Sequence, residues 1–433
     1  MRNAGTARAG FNWRGWYTVF VCVVLYLLSS VDRQIINLLV EPIQAEFRVG
    51  DFEIGLLIGP AFGLCYALAT FPLAWLADRM SRRLLIFCCV LVWASAACTS
   101  GLARDFHELF AARIIVGIGE AALLPTSYVL IAGRFERNRL ALPLSILTLG
   151  AVGGLSVAMG LGAWLLQVGD RIAFPVLGQL PPWRAAFVLS GAPGFLLAFL
   201  ILTVAREERH AALGSDHPDV HGLWRFIRKN RAIIVALLVG FGLLQVVSGA
   251  IVGWFPTHLI RTYGWTASQA GATLAMTTLV VASLGKLIAG ISVDWLFRHG
   301  RSDAHFRYAV VTAALALPFL VGATIAPTPM IAVALIAFYF IGPYSSVGYG
   351  SAFVQLFSPV VLRGRVSGLY LLVCNLFAMA GPVVVGAMTD RVFADKSKLG
   401  TSLGIVTSVA MLLAIAFLAF AMPRVRAALR EAH

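Results

Sequence analysis

Twelve apolar runs, most of them about 20 residues long or longer, restrict the fold of this chain more than any other feature. A helix needs about 20 apolar residues to cross roughly 30 Å of bilayer hydrocarbon. The runs are continuous, whereas the strands of a membrane barrel alternate polar and apolar residues in pieces of about ten. They therefore predict an all-α membrane protein with twelve transmembrane helices. The predicted spans are 16–40, 54–76, 84–103, 109–132, 140–168, 184–204, 232–260, 267–292, 307–326, 328–355, 364–389 and 401–422.

The composition agrees with a lipid environment. The chain is 59% hydrophobic and 12% charged, whereas soluble domains carry about 25% charged residues. A water-soluble fold could not cover so much apolar surface. The net charge of +14 does not indicate a nucleic-acid partner, because Lys and Arg lie mainly in short segments between the apolar runs, as insertion topology requires. We expect the lipid bilayer to be the main surrounding and expect no nucleic-acid partner.

The sequence contains no pattern typical of an enzyme. Its six cysteines lie inside apolar runs, without the spacing of a metal site or of a disulfide framework. It also lacks the His-Glu-x-x-His and nucleophile-elbow motifs and the phosphate-binding glycine loop. We therefore expect no catalytic residues, no metal and no cofactor, and no ATP-driven transport by this chain.

A polar segment at 205–231 divides the chain into two groups of six spans. We predict an N-terminal six-helix bundle at 1–204, a cytoplasmic linker at 205–231 and a C-terminal six-helix bundle at 232–433. The linker reads Trp-Arg-Phe-Ile-Arg-Lys at 224–229, which is typical of a short amphipathic piece at an anionic inner leaflet. The linker either tethers the halves as a hinge or is a solvated connection without a further role; we favour the second for its individual residues.

The two halves share a motif at the end of their second span. Residues 74–83 read Ala-Trp-Leu-Ala-Asp-Arg-Met-Ser-Arg-Arg, and residues 290–298 read Gly-Ile-Ser-Val-Asp-Trp-Leu-Phe-Arg. In each copy a small residue stands four positions before an Asp at a helix end, and Arg follows. The motif resembles the signature loop of the major facilitator superfamily, although Ala74 and Ser81 stand where glycines are usual.

The resemblance implies the major facilitator fold of two six-helix bundles, with a conformational latch formed by Asp78, Arg79, Arg83, Asp294 and Arg298. Asp78 would lie against the start of the eleventh helix, near Arg363 and Arg365. By symmetry, Asp294 would lie against the start of the fifth helix, near Arg137 and Arg139. Helix starts attract anions through their free amides and dipoles. The alternative is that these charges only fix the topology.

A second resemblance narrows the family. Residues 113–122 read Arg-Ile-Ile-Val-Gly-Ile-Gly-Glu-Ala-Ala and are followed by Pro125, while Tyr26 precedes Asp-Arg-Gln-Ile-Ile-Asn-Leu-Leu-Val-Glu-Pro-Ile at 32–43. Together these segments resemble the bacterial spinster-like branch. The resemblance implies that the first and fourth helices are adjacent, and it suggests a lipid-like or amphipathic organic substrate. With the Lys and Arg distribution, it predicts a multi-pass protein of the bacterial inner membrane with both termini in the cytoplasm.

Four charged residues stand inside predicted spans: Asp32, Arg33, Arg113 and Glu120. A charge there costs at least about 2.5–3.5 kcal/mol. Arg113 and Glu120 are seven residues apart and share a helix face, whereas Asp32 and Arg33 point about 100° apart, so at most one of them aims at a pathway. The four groups form either a static salt-bridge network or a proton-coupling cluster, because the distance to a guanidinium changes how tightly a buried carboxyl holds its proton. We favour coupling, with Asp32 and Glu120 as the proton carriers.

Other residues in the spans are candidates for lining a substrate pathway. They are Gln34, Asn37, Thr126, Tyr128, Gln245, Trp254, Lys286, Tyr344, Tyr349 and Asn375. Lys286 either contacts substrate or, as we favour, snorkels to the interface. Separately, Gly55, Gly59 and Gly63 recur at every fourth residue of the second span, a pattern that permits close helix packing.

These features predict a monomeric secondary active transporter, coupled to protons, that moves a small organic molecule by alternating access. The substrate is expected to be amphipathic or anionic, including lipid-like molecules, and the arginines inside the spans favour an organic anion. One alternative is an uncoupled facilitator of the same fold. Another, from a different class, is a membrane receptor or scaffold, which would not need a signature loop in each half.

Overall fold

A computed structural model describes residues 12–135, 140–168, 173–174, 178–205, 220–359 and 362–431 of the chain. In these residues, twelve helical spans are long and apolar enough to cross a membrane, which confirms the predicted number. We call them spans 1 to 12. In chain order they are Trp13–Leu38, Asp51–Ala77, Arg82–Ser100, Phe106–Ala132, Leu142–Gln167, Pro182–Thr203, Arg231–Tyr263, Ala267–Arg298, Ala304–Ile325, Pro329–Phe357, Arg363–Phe393 and Lys396–Leu429.

The helices of the N-terminal half, spans 1 to 6, include one short helix between spans 1 and 2. The α-helices are Trp13–Ile35, Val40–Phe47, Asp51–Ile58, Pro60–Arg79, Arg82–Ser100, Phe106–Glu120, Leu123–Ala132, Ala141–Val168 and Pro182–Thr203, with a 3-10 turn at Ile36–Leu38. Two short antiparallel strands, Ala173–Phe174 and Gly178–Gln179, lie between spans 5 and 6.

The C-terminal half, spans 7 to 12, follows a separate helix at Val220–Lys229, which we call the linker helix. Its α-helices are Arg231–Val235, Phe241–Tyr263, Ala267–Thr277, Ser283–Arg298, Ala304–Ile325, Pro329–Ile341, Ser346–Phe357, Arg363–Ala387 and Leu399–Glu431. Short π or 3-10 turns interrupt or connect them at Ala236–Gly240, Thr278–Ala282, Pro343–Ser345, Met388–Phe393 and Lys396–Lys398.

Polar caps fix where several spans begin. The side chains of Asn12, Asp105, Thr266 and Thr328 accept hydrogen bonds from backbone amides in the first turns of spans 1, 4, 8 and 10. Such caps satisfy amides that have no partner inside the helix. Because helices continue into polar flanks, some spans are longer than the apolar runs; span 8, predicted at 267–292, extends to Arg298.

The spans pack as two six-helix bundles, in agreement with the predicted fold. In the first, span 1 packs on spans 5 and 6, span 3 on spans 4 and 6, and span 2 on span 4. In the second, span 7 packs on spans 11 and 12, and span 9 on spans 10 and 12. The halves meet where span 2 contacts span 11 and span 5 contacts span 8.

The glycine stripe of span 2 lies at this contact between the halves. A Cβ at Gly55 would collide with the Pro382 carbonyl, and one at Gly59 or Gly63 would collide with Met379 of span 11. The close packing predicted for the stripe is therefore confirmed, and its partner is the other half of the protein.

The contact between the halves lies towards one side of the bundle. We call the face from which span 1 starts the terminal face, and the other the opposite face. The contacting parts of spans 2 and 8 are their beginnings, and those of spans 5 and 11 are their later turns, so all four lie towards the opposite face. These spans expose large apolar side chains along their whole length, for example Leu68 and Phe71 near the terminal face and Trp164 and Met276 near the opposite face.

Candidate functional site

The four charges predicted inside the spans form two ion pairs between span 1 and span 4. Nη2 of Arg33 lies 2.7 Å from Oε2 of Glu120, and Nη1 of Arg113 lies 3.6 Å from Oδ2 of Asp32. The first and fourth helices are therefore adjacent, as the family resemblance implied. Each acid has a guanidinium partner, so the cluster has no net formal charge when all four groups are ionised.

The end of the first helix positions Arg113. The helix ends at Ile35 and gives way to a 3-10 turn, and the last four carbonyls of an α-helix have no partner in the helix. Arg113 donates to two of them, the Asp32 carbonyl at 3.2 Å and the Arg33 carbonyl at 3.3 Å. A cation at a helix C-terminus is also favourable electrostatically. Arg113 thus ties span 4 to the end of span 1.

A hydroxyl group donates one hydrogen bond to each of the two acids. Ser190 of span 6 donates to Oδ1 of Asp32 at 2.9 Å, and Ser29 of span 1 donates to Oε2 of Glu120 at 2.7 Å. The other carboxyl oxygen of Glu120, Oε1, is buried and has no hydrogen-bond partner in the described residues. Glu120 therefore retains a free acceptor position beside its ion pair.

Exposure separates Arg33 from the other three charges. Its side chain is 29% exposed, whereas those of Asp32, Glu120 and Arg113 are at most 1% exposed. The prediction that only one of the neighbours Asp32 and Arg33 faces open space agrees with this geometry. Asp32 points towards span 6, and Arg33 is the part of the cluster that a solute could reach.

Aromatic rings surround the Arg33 guanidinium. Its Cζ atom lies 4.7 Å from the centroid of Phe62 and 5.4 Å from that of Tyr66, within the range of cation–π contacts. Tyr26 stands seven residues before Arg33 on the same helix, so the two side chains share a helix face. Tyr26 and Tyr66 are half-buried, so tyrosine hydroxyls as well as the Phe62 ring are available beside Arg33.

The remaining candidates for pathway lining fall into two groups. Gln34, Tyr128 and Tyr344 are half-buried, and Lys286 and Asn375 are exposed. The buried group consists of Asn37, Thr126, Gln245, Trp254 and Tyr349. Trp254 packs with its indole Nε1 donating to the Pro382 carbonyl at 2.9 Å, and Gln245 donates to Ser346 at 2.8 Å. In this conformation the buried group serves packing, and a role for it in binding stays a prediction.

The predicted latch residues are spread along the terminal face. Asp294 and Arg298 are exposed, with Arg298 Nε 3.4 Å from the Asp294 carbonyl. Arg83 donates to the carbonyls of Leu202 and Val204 at the end of span 6. Arg79 lies over the Trp75 ring at 3.8 Å. The side chain of Asp78 and the residues Arg137 and Arg139 lie outside the described part of the chain, and the latch stays a prediction.

The sequence did not predict a second cluster, centred on Arg261 at the opposite face. Its guanidinium forms a bidentate pair with Asp51, with Nη1–Oδ2 at 2.7 Å and Nη2–Oδ1 at 2.8 Å. It also donates from Nε to Glu41 at 2.6 Å and from Nη2 to Gln44 at 2.8 Å. Arg261 belongs to span 7, and its three partners belong to the N-terminal half. We call these four residues the Arg261 gate.

Three further contacts join the halves beside the Arg261 gate. The backbone amide of Phe52 donates to Oδ2 of Asp390 at 2.7 Å, and Nζ of Lys396 lies 3.4 Å from Oε1 of Gln44. The Arg391 guanidinium lies over the Phe52 ring at 3.9 Å. The opposite face is thus closed by charged hydrogen bonds between the halves. Glu41 lies in the segment that resembled spinster proteins, but nothing in the sequence connected it with Arg261.

The twelve spans in two six-helix halves define a multi-pass membrane protein. The sequence pattern of the Major Facilitator Superfamily matches residues 22–382. The chain therefore belongs to that superfamily, whose members related to this chain transport small organic molecules.

Individual relatives support the same family. The chain is 29% identical over 385 residues to an MFS-type efflux pump of Mycolicibacterium smegmatis, covering 88% of this chain and 86% of the relative. It is 24% identical over 407 residues to a D-galactonate transporter of Escherichia coli O6:H1, covering 87% and 90%. A solved bacterial homologue of the human lysosomal transporter Spinster, inward-facing and unoccupied, matches the fold with a TM-score of 0.80 at 22% identity, covering 97% and 98%. The predicted likeness to spinster proteins is confirmed.

Proposed function

We propose that this protein is a proton-coupled secondary transporter that moves a small anionic or amphipathic organic molecule, including lipid-like molecules, by alternating access. The observation that carries the proposal is the 2.7 Å pair between Arg33 and Glu120, in which the arginine is partly exposed and the acid is sealed. A proton on Glu120 and an anion on Arg33 each break this pair, so the binding of either one favours the binding of the other.

The pair couples the two ligands as follows. While Glu120 is ionised, it holds the guanidinium of Arg33. When Glu120 accepts a proton, the ion pair is lost, and Arg33 is free to bind an anionic group from its exposed side. An anion that binds Arg33 first weakens the pair in the same way and favours protonation of Glu120. Asp32, held by Arg113 and Ser190, is the second proton carrier of the cluster.

The surroundings of Arg33 favour an anion attached to an organic body. The guanidinium can bind a carboxylate or phosphate through two parallel hydrogen bonds, while Phe62 and the half-buried tyrosines offer apolar and hydroxyl contacts to the rest of the molecule. One relative transports D-galactonate, a sugar acid. We include sugar acids and anionic amphiphiles in the proposed substrate class.

The packing of the halves supports an inward-facing state in the bacterial inner membrane. The Arg261 gate closes the opposite face, and the contacts between spans 2 and 11 and between spans 5 and 8 lie towards that face. Because Lys and Arg are concentrated on the terminal side, we place both termini in the cytoplasm. We further propose that 1–204 and 232–433 move as units connected by the linker 205–231, in a monomeric transporter that uses protons.

The proposal is tested by flux into proteoliposomes with and without a pH gradient. A thermal-shift panel of sugar acids, beginning with D-galactonate, and of anionic amphiphiles first identifies a substrate. We expect a proton gradient to drive accumulation of that substrate in the wild type. E120Q is expected to retain exchange without a gradient and to lose gradient-driven accumulation.

E108Q is the matched control, because Glu108 is an exposed carboxylate at the start of the same span, outside the cluster. It is expected to accumulate substrate as the wild type does. If the flux of the wild type is the same with and without a pH gradient, the protein is an uncoupled facilitator of the same fold. Accumulation by E120Q at the wild-type level would remove Glu120 from the coupling mechanism.

A further inference from the structure

The linker helix, Val220–Lys229, turns its apolar face towards the protein. Leu223, Phe226 and Ile227 pack against the core of the C-terminal half, and the Phe226 ring lies 5.6 Å from that of Phe357 at the end of span 10. A free amphipathic helix would bury this face in lipid. Here the bundle already covers it, so any membrane contact must use the other face.

The outward face of the linker helix is cationic and carries a tryptophan. Its exposed residues are Trp224, Arg225, Arg228 and Lys229, and they fall within about 140° of the helix circumference. Trp224 is 67% exposed. In the described residues these three cations form no ion pair, and the sequence has no Asp or Glu between Val220 and Tyr263. The face therefore combines three cations with an indole ring.

The connection to span 7 places this face at the membrane surface. Span 7 begins at Arg231, two residues after the linker helix ends, and has 33 residues. A helix of that length is about 50 Å long, whereas the hydrocarbon layer is roughly 30 Å thick. The first turns of span 7 and the adjoining linker helix thus lie at the level of the lipid headgroups.

We propose that Trp224, Arg225, Arg228 and Lys229 form a binding site for the headgroups of anionic phospholipids in the leaflet at the terminal face. Arginine and lysine near such a leaflet attract anionic lipid, and tryptophan is enriched at the headgroup level because its ring is apolar with a polar N–H. The site is separate from the charge cluster and does not depend on the proposed transport mechanism.

The site is tested with the full-length protein in detergent. Phosphatidylglycerol is titrated against phosphatidylcholine, and bound lipid is counted by native mass spectrometry. We expect the wild type to retain phosphatidylglycerol in preference to phosphatidylcholine. R225Q/R228Q is expected to bind phosphatidylglycerol about 25-fold more weakly, since each cation near an anionic leaflet contributes about fivefold. The control R14Q/R301Q removes two exposed cations elsewhere on the terminal face and is expected to bind as the wild type does.

A second measurement does not depend on removing charge. The chain has 10 tryptophans, so the fluorescence of Trp224 is obtained as the difference between the wild type and W224F in nanodiscs. Brominated phosphatidylglycerol is expected to quench this difference more strongly than brominated phosphatidylcholine at the same mole fraction. Equal quenching by the two lipids, or unchanged lipid retention by R225Q/R228Q, would overturn the proposal. A wild type that shows no preference between the two lipids would also overturn it. The cationic face would then be expected to bind an acidic protein partner.

Discussion

Arg261 in span 7 and Asp51 at the start of span 2 form a bidentate ion pair across the two halves of the transporter, with N–O distances of 2.7 and 2.8 Å. The Asp51 side chain has no exposed surface, and that of Arg261 is 10% exposed. Charged hydrogen bonds of this kind are geometrically demanding. The pair can therefore exist only while the opposite face is closed, and its rupture must accompany opening of that face.

Replacing Arg261 should open the opposite face. R261Q leaves Asp51 buried without its cation, and breaking such a pair costs about 3–5 kcal/mol, enough to shift a conformational equilibrium by more than about 100-fold. Spin labels at the exposed positions Arg48 and Lys398, one in each half, should report longer distances in R261Q than in the parent. R104Q removes an exposed cation of the same face and should leave the distances unchanged. Unchanged distances in R261Q would show that the other contacts alone hold the gate closed.

Replacing Arg113 should mainly lower the stability of the folded protein, whereas replacing Arg33 should mainly abolish substrate binding. Arg113 is sealed and binds Asp32 and two backbone carbonyls, so R113Q should destabilise the folded protein by about 3–5 kcal/mol. R33Q should be destabilised less than R113Q, because Arg33 is partly exposed and Glu120, as a proposed proton carrier, can take up a proton once its cation is removed, but R33Q should lose substrate binding. Thermal melting in detergent and substrate-induced shifts separate the two effects. If R113Q has the same melting temperature as the wild type, the structural role of Arg113 is contradicted.

The sequence predicted the members of the charge cluster but not their pairing. Each charge was recognisable because ionised groups are costly inside an apolar span. Which acid meets which arginine depends on how spans 1 and 4 are rotated and shifted, and that is set by packing. For example, Gly117 lies against the Phe62 carbonyl and Gly119 against Trp93. A single sequence carries no direct record of such contacts.

The Arg261 gate and Trp254 show two other limits of sequence interpretation. An arginine at the end of a span is expected from topology alone, and the gate partners of Arg261 are 210 to 220 residues away in the chain. Trp254 was a candidate for pathway lining, yet it is fully buried and bonded to Pro382. Span 7 has apolar residues on every side and only a few polar ones, such as Gln245 and Ser248, so periodicity could not show which of its faces meets the pathway.

The glycine stripe offers a steric test of the contact between the halves. A Cβ at Gly55 would lie 2.6 Å from the Pro382 carbonyl oxygen, and overpacking of this kind costs about 1–3 kcal/mol. G55A should therefore weaken the closed opposite face and slow transport. The control is G160A in span 5, where an added Cβ meets nothing within 4 Å; it should raise stability by about 0.5–1 kcal/mol because alanine favours helix. Flux and melting temperature check both variants, and wild-type transport by G55A would contradict the tight contact.

The turn that carries Lys396 should not sense pH in the physiological range. Asp395 accepts hydrogen bonds from the Ser397 amide at 2.8 Å and the Ser397 hydroxyl at 2.7 Å. These bonds favour the charged carboxylate and lower the pKa of Asp395 below its ordinary value of 3.8. A group whose pKa is lower in the folded state stabilises it at pH values above the unfolded pKa, and this contribution is lost only as the pH falls through the folded pKa. Between pH 5 and 8 the carboxylate therefore stays charged.

The lowered pKa of Asp395 gives a control for pH dependence in transport. D395N removes the carboxylate next to Lys396, which reaches Gln44 of the Arg261 gate, but it should not change the shape of the rate profile between pH 5 and 8. E120Q should flatten that profile, because it removes a proposed proton carrier. Both profiles are measured as initial flux in proteoliposomes with equal pH on the two sides. A shifted midpoint in D395N would mean that the gate itself titrates, and coupling would then have to be sought at the opposite face as well as in the charge cluster.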